Sequence, residues 1–293
     1  MSVRNSTVFC FGETLVDLLP SGPKPGGAPM NVAYHLNQWG TKAGIITRLG
    51  ADENGVKLKR FLADKDLDTS FVQTDNSLQT GIVEVALSNN EPSYHIVENV
   101  AWDAIEPVQI PDEVELIVHG SLALRSECNK ETLKAILSSS RAKVVFDVNF
   151  RAPFYSKSLI EEWLSKAHLA KLNEYELSEI SEWFDCANSI ELINRFPKLE
   201  LLIVTKGGDG AEVLTRTEQF SHPGYSVQVA DTVGSGDAFL ATFLHHYLAG
   251  HAIPKVLERA YATGAFVATQ HGATPTYSPF DILVTIDSQN LVK

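Results

Sequence analysis

The chain has 293 residues, 44% of them hydrophobic, which is enough to bury a sizeable core in one large domain or two smaller ones and excludes disorder as the default. Its formal charge of -12 argues against nucleic acid or an anionic lipid surface as partner, while leaving room for a local basic pocket that takes phosphate. Three cysteines, Cys10, Cys128 and Cys186, make neither a CxxC pair nor an even secreted framework, so reduced thiols and a cytoplasmic location are expected.

The first residues show no basic segment followed by an apolar run, and nothing approaches ~18 uninterrupted apolar residues, so neither export nor a membrane span is expected. The Asn5-Ser6-Thr7 glycosylation pattern is then a chance match. Val8 to Val16 reads as an apolar strand, Gly22 to Gly27 as a Pro/Gly loop and Asn31 to Trp39 as a helix. Ala43 to Arg48 is a second strand, Glu53 to Lys65 an amphipathic helix, and Phe71 to Gln73 a short strand. This alternation predicts a doubly wound α/β sheet.

Between Thr80 and Asn99 the period changes to two. Gly81 to Leu87 and Tyr94 to Val97 alternate around the turn Ser88 to Pro92, which predicts a hairpin, either a sheet edge or a flap over a ligand. The βα rhythm then returns, with strands at Leu116 to His119, Val144 to Val148 and Leu201 to Thr205. Helices are predicted at Lys130 to Ser138, Leu159 to Lys166, Glu174 to Trp183, Asp237 to Ala249 and Pro254 to His271. With no repeat or linker, residues 1-293 read as a single domain carrying a small β appendage.

Asp231-Thr232-Val233-Gly234-Ser235-Gly236-Asp237-Ala238-Phe239 bears the chemistry. Glycines and a serine before a long helix free backbone amides for an anion, aided by the helix dipole, and Asp237 at the mouth of that turn could take a proton from an attacking hydroxyl. The bland alternative is that Asp237 caps the helix and the glycines only turn the chain. No Walker A, GxGxxG after a strand or HExxH occurs, and adjacent His245 and His246 would face different ways on one helix.

The segment resembles the C-terminal signature of the ribokinase-like (PfkB) carbohydrate kinases, Asp-Thr-x-Gly-Ala-Gly-Asp-x-Phe, with Ser235 the one departure. Gly26-Gly27-Ala28-Pro29-Met30-Asn31 is similar to the family's first signature, in the Gly-Gly-x-Pro form of fructokinases, and Gly12 to Asp17 to its opening strand. Gly50-Ala51-Asp52-Glu53-Asn54-Gly55 matches a family turn read as structural, Asp147-Val148-Asn149-Phe150-Arg151 a strand-end motif, and Asn173 to Glu176 the Asn-x-x-Glu motif. Thr205, Gly207 and Gly210 match the nucleotide-side turn, and Gly264-Ala265 with Gly272-Ala273 the border of the adenine, while Tyr261 stands where many relatives have Asn.

Together these matches run in family order from Gly12 to Ala273. The resemblance implies a three-layer α/β/α sandwich with a mainly parallel sheet and a β lid from about 12-20 and 80-99. It implies an ATP-dependent sugar kinase with Asp237 as base, Gly234, Ser235 and Gly236 as the anion hole, and Arg151 beside the transferred phosphate. Asp17, Gly27 and Asn31 would bind sugar; Asn173, Thr205, Gly207, Gly210 and Gly264 would bind nucleotide. Mg²⁺ would accompany ATP near Glu176 through water, and K⁺ would sit at Asp231 and the Val233 carbonyl.

Fructose is the expected acceptor. Ribose, a nucleoside or 2-keto-3-deoxygluconate are the alternatives, because the hairpin segment Ser93 to Glu98 lacks the Arg-containing aromatic lid of many fructokinases. A non-catalytic sugar or nucleotide sensor is the reading from another class. The flap's free edges and apolar face also point to a homodimer through the lid.

Overall fold

Thr7–Phe11 (β1) ends at Gly12, whose φ of 143° belongs to the region glycine enters without strain, and Leu15–Leu19 (β2) leaves in another sheet. The single strand expected over Val8 to Val16 is therefore two, because one glycine redirects the chain. The computed structural model describes residues 7–19, 22–88 and 91–290, so Asn5 and Ser6 of the glycosylation pattern and the tip of the 88–92 turn lie outside the described residues.

Gly22–Gly26 forms β3, antiparallel to β2, although its Pro/Gly content predicts a loop. Ala28–Gln38 (α1) starts earlier than expected because Pro29 fits the first helical turn. Lys42–Gly50 (β4), Glu53–Asp64 (α2) and Val72–Asp75 (β5) continue the main sheet, and Ile82–Ser88 (β6) with Glu91–Ile96 (β7) make the predicted hairpin. The appended sheet has the order β3-β2-β6-β7, so the residues read as a loop supply one of its four described strands.

Val114–Gly120 (β8), Glu127–Ser138 (α3), Lys143–Asp147 (β9), Lys157–Leu164 (α4) and Leu169–Asn173 (β10) follow in βα alternation. Next come Glu174–Trp183 (α5), Ser189–Arg195 (α6), Leu201–Thr205 (β11), Ala211–Leu214 (β12) and Gln219–His222 (β13). Ser235–Leu248 (α7), Ile253–Ala268 (α8) and Pro279–Asn290 (α9) close the chain, α8 ending before the expected His271. Among the described residues the main sheet has nine strands in the order β13-β12-β11-β10-β9-β8-β1-β4-β5, parallel except for the β11-β12-β13 edge.

The pleat sorts alternate residues onto two cores. Val8 and Cys10 of β1, Val145 of β9 and Leu169 of β10 pack with α1, α2, α7, α8 and α9. Phe9, Phe11, Phe146, Ala170 and Leu172 pack with α3 to α6 on the opposite face. Helices therefore cover both faces, the three-layer sandwich expected. His245 and His246 do not diverge as predicted, since Trp39 packs against both rings at 5.5 and 4.9 Å. No described helix is long and apolar enough to cross a membrane.

Candidate active site

β1, β8, β9, β10 and β11 end on one edge of the sheet, and the chemistry-bearing residues gather there, as parallel sheets position ligand sites at their carboxyl ends. α7 begins at this edge. Its N-cap, Gly234, has φ 79°, and no side chain caps its first turn; the Ser235 amide donates to the Thr232 carbonyl at 3.2 Å, and the helix start offers its other first-turn amides to an anion. A Cβ on Gly234 would stand 2.6 Å from the Ala273 Cα, so the position admits glycine alone without rearrangement.

Asp237 lies in that first turn, and Asn31 Nδ2 of α1 donates to its Oδ2 at 2.8 Å. Burial, and after it the Asp147 charge, push the Asp237 carboxyl up to about 6, against the pull of the Asn31 hydrogen bond and the cations of Lys171 and Arg151. Such a group is a carboxylate at neutral pH yet retains basicity for a proton. Asp237 does not cap α7, so the capping alternative is set aside.

Asp17 of β2 lies at the appended sheet, where burial raises its carboxyl to about 6 while Arg151 lowers it. A Cβ on Gly26 would strike its Oδ2, so Asp17 lies flat against β3. Gly27 caps α1 and carries Asn31 one turn on. Arg151 is exposed beyond β9, donates to the Phe150 carbonyl at 2.9 Å and draws down the pKa values of Asp17, Glu13 and Asp237.

Glu176 is buried, not the exposed helix carboxylate its position on a polar helix suggests. Its two oxygens accept from the Phe150 and Asn173 amides, each at 2.8 Å, while Asn173 Oδ1 accepts from the Glu176 amide at 2.9 Å. This reciprocal cap fixes the loop carrying Arg151 to the end of β10. Asp231 Oδ1 and Oδ2 accept from the Val233 and Gly272 amides, both at 3.0 Å, tying the turn to the segment that follows α8.

Thr205 ends β11, and Gly207 and Gly210 frame the following turn, the one expected to meet the nucleotide. Tyr261 pins it by donating to the Gly207 carbonyl at 2.6 Å with its ring stacked on His222. Gly264 of α8 faces the anion turn, its carbonyl accepting from Ser235 Oγ at 2.9 Å. The departure of Ser235 from the usual alanine thus adds a link between α7 and α8.

Sequence reasoning missed three buried groups here. Glu13 is pushed up to about 7, chiefly by burial, and its Oε2 has no hydrogen-bond partner among the described residues. Asp147 and Lys171 face each other across β9 and β10 and pair at 2.8 Å. The signal available for Lys171 was a lone cation inside the apolar run Leu169 to Leu172. Asn31 Oδ1 and Asp147 Oδ2 are also buried acceptors without a partner among the described residues. Acceptors of that kind suit a ligand rich in hydroxyl groups.

Anion-ready amides beside a half-buried, basic carboxylate serve transfer of a phosphoryl group to an alcohol, the chemistry of a small-molecule kinase. Residues 8–279 match the pfkB family carbohydrate kinase description, and the chain belongs to that family and is an ATP-dependent sugar phosphotransferase. It is 31% identical to a fructokinase of Klebsiella pneumoniae, over 92% of this chain and 95% of the relative. The fructokinase of Xylella fastidiosa with bound ATP superposes with a TM-score of 0.88 at 25% identity, covering 98% of this chain and 100% of that one. Aminoimidazole riboside kinase of Salmonella enterica, solved with aminoimidazole riboside and an ATP analogue, gives 0.82 at 25% identity, with 96% and 100% covered.

Proposed function

We propose that the chain is a cytoplasmic fructokinase in which Asp237 removes the proton of a fructose hydroxyl as that oxygen attacks the γ-phosphorus of ATP. The bond from phosphorus to the ADP oxygen breaks, and sugar phosphate and ADP leave. The observation that carries the reading is Asp237 itself, half-buried, bonded to Asn31 and set at a helix start whose first turn no side chain caps. Gly234 and Gly236, with Ser235 between them, form the turn that faces the moving charge, Arg151 adds a cation, and Asp17, Gly27 and Asn31 orient the sugar. Thr205, Gly207, Gly210, Gly264 and Asn173 line the nucleotide side.

Mg²⁺ fits this site through water, since both Glu176 oxygens already accept backbone N–H groups and Mg²⁺ keeps several of its waters. When bound with ATP it neutralises phosphate charge. For K⁺ the candidate place is the Asp231 loop. The appended sheet acts as the lid of a single-domain enzyme and pairs with a second copy.

The similarity to a fructokinase and the Gly27-Ala28-Pro29 form favour fructose. A nucleoside is the second reading, because the Salmonella riboside kinase is as similar in sequence as the Xylella fructokinase. Assaying ADP release with fructose, ribose, 2-keto-3-deoxygluconate and aminoimidazole riboside tests it. Fructose should show the highest kcat/KM; a tenfold advantage for any other acceptor sinks the assignment.

A further inference from the structure

Lys171 stands directly opposite Asp147 in the register of β9 and β10, and both side chains project onto the face that carries α1 and α7. Its ammonium bonds to Asp147 Oδ1 at 2.8 Å with a side chain only 9% exposed. The same ammonium sits beneath the glycine turn, where a Cβ on Gly236 would stand 3.4 Å from Nζ. Such a buried cation is costly unless carboxylates surround it, and here they do.

We infer that Lys171 is a positioning residue for phosphoryl transfer: its ammonium backs the glycine turn and offsets the carboxylates grouped around Asp237. This rests on the reading of Asp237 as the base. Burial opposes the charge of Lys171, but Asp147, Glu176 and Asp237 outweigh it and hold its pKa above the ordinary lysine value, so it is a fixed cation at any working pH. The titratable and charged groups that bear on Asp237 are Asp147 of β9, Lys171 of β10, Arg151 beyond β9, and Glu13 and Cys10 from the β1 end; Asn31 of α1 adds its hydrogen bond. Arg151 is exposed, so Lys171 is the cation within this set that water does not screen. With one oxygen on Lys171, Asp147 keeps its other oxygen without a partner among the described residues, and the pair leaves one negative charge fewer beside the reaction.

Steady-state pH profiles of Lys171→Met, Lys171→Arg and the double variant Lys171→Met/Asp147→Asn test the inference. Lys171→Met should lose about tenfold to a thousandfold in kcat with a small change in sugar KM, and the acid limb of kcat/KM should move up by about half a unit or more. Lys171→Arg should restore part of kcat. The double variant, which buries no lone charge and guards against failure of the single one to fold, should bring the acid limb back towards wild type while kcat stays low. If either Met variant folds and turns over within about threefold of wild type, or if the limb stays put in Lys171→Met, the inference is overturned. Asp237→Asn separates the two readings: should it remain active, the base assignment fails; should it be inactive while Lys171→Met is normal, only the role of Lys171 fails.

Discussion

Asn31 and Asp237, 206 positions apart in the chain, meet through one 2.8 Å hydrogen bond that joins the first turn of α1 to the first turn of α7. The helix start that carries Asn31 and the one that carries Asp237 are thereby held in one geometry. Because the donor is an amide, it favours the carboxylate form of Asp237.

Replacing Asp237 with Asn keeps the size and can keep the Asn31 contact, but removes the base. Turnover should fall by about 10²–10⁴ with ATP and sugar affinity little changed. Measured kcat within about threefold of wild type would refute the base assignment.

The same variant has a pH signature in stability. The folded Asp237 titrates at about 6, above the unfolded value of about 3.9, so its contribution to stability is present below the unfolded value and lost as pH rises through 6. Asp237→Asn should therefore melt higher than wild type at pH 8, with the difference disappearing near pH 4. With the ionised form as the proposed base, activity in the wild type should rise across the same window. Melting curves of the two proteins at pH 4 and pH 8 check the sign.

Asp17→Ala should raise the KM for sugar by at least about tenfold while leaving the KM for ATP near wild type, since a site built around hydroxyl hydrogen bonds depends on its acceptors. An equal rise in both constants would place Asp17 in the structure of β2 and not against the sugar.

Gly234 and Gly250 form a matched pair for backbone strain. Both have positive φ, 79° and 76°, but a Cβ on Gly250 meets nothing within 4 Å, whereas one on Gly234 collides with Ala273. Gly250→Ala should cost about 1 kcal/mol of stability and no activity, while Gly234→Ala should cost more and also lower kcat by displacing the amides of the turn. Comparable kcat losses in the two variants would detach the turn from the chemistry.

Deleting residues 82–96 should raise ATP hydrolysis relative to sugar phosphorylation, because water is the competing acceptor when a lid is missing. Sedimentation of the intact protein at micromolar concentration tests the pairing of lids; a monomer would overturn the dimer.

What could be read from residues alone was local. Gly234 to Asp237 announce an anion turn because glycines and a helix start adjoin in sequence, and the strands reveal themselves by their apolar runs. Pairings across the sheet stayed hidden: Lys171 looks like an interruption of a strand until β9 sets Asp147 opposite it. Glu176 resembles any surface glutamate until the loop after β9 folds back to donate to it. Gly22–Gly26 was masked by composition, since Pro and Gly disfavour strands except at the edge of a sheet, which is where β3 lies.

The Asp52 turn, read from the residues as structural only, has a mechanical meaning. Asp52 Oδ1 accepts from the Gly55 amide at 2.8 Å, at the start of α2, and its two oxygens also hold the Thr80 hydroxyl and amide at 2.8 and 2.7 Å, just before β6. Thr80 in turn receives the Gly50 amide at 3.0 Å. One carboxylate therefore serves as the axle on which the outer sheet is mounted, and wear at that axle would be felt as a loose fit around the sugar that the proposed lid covers.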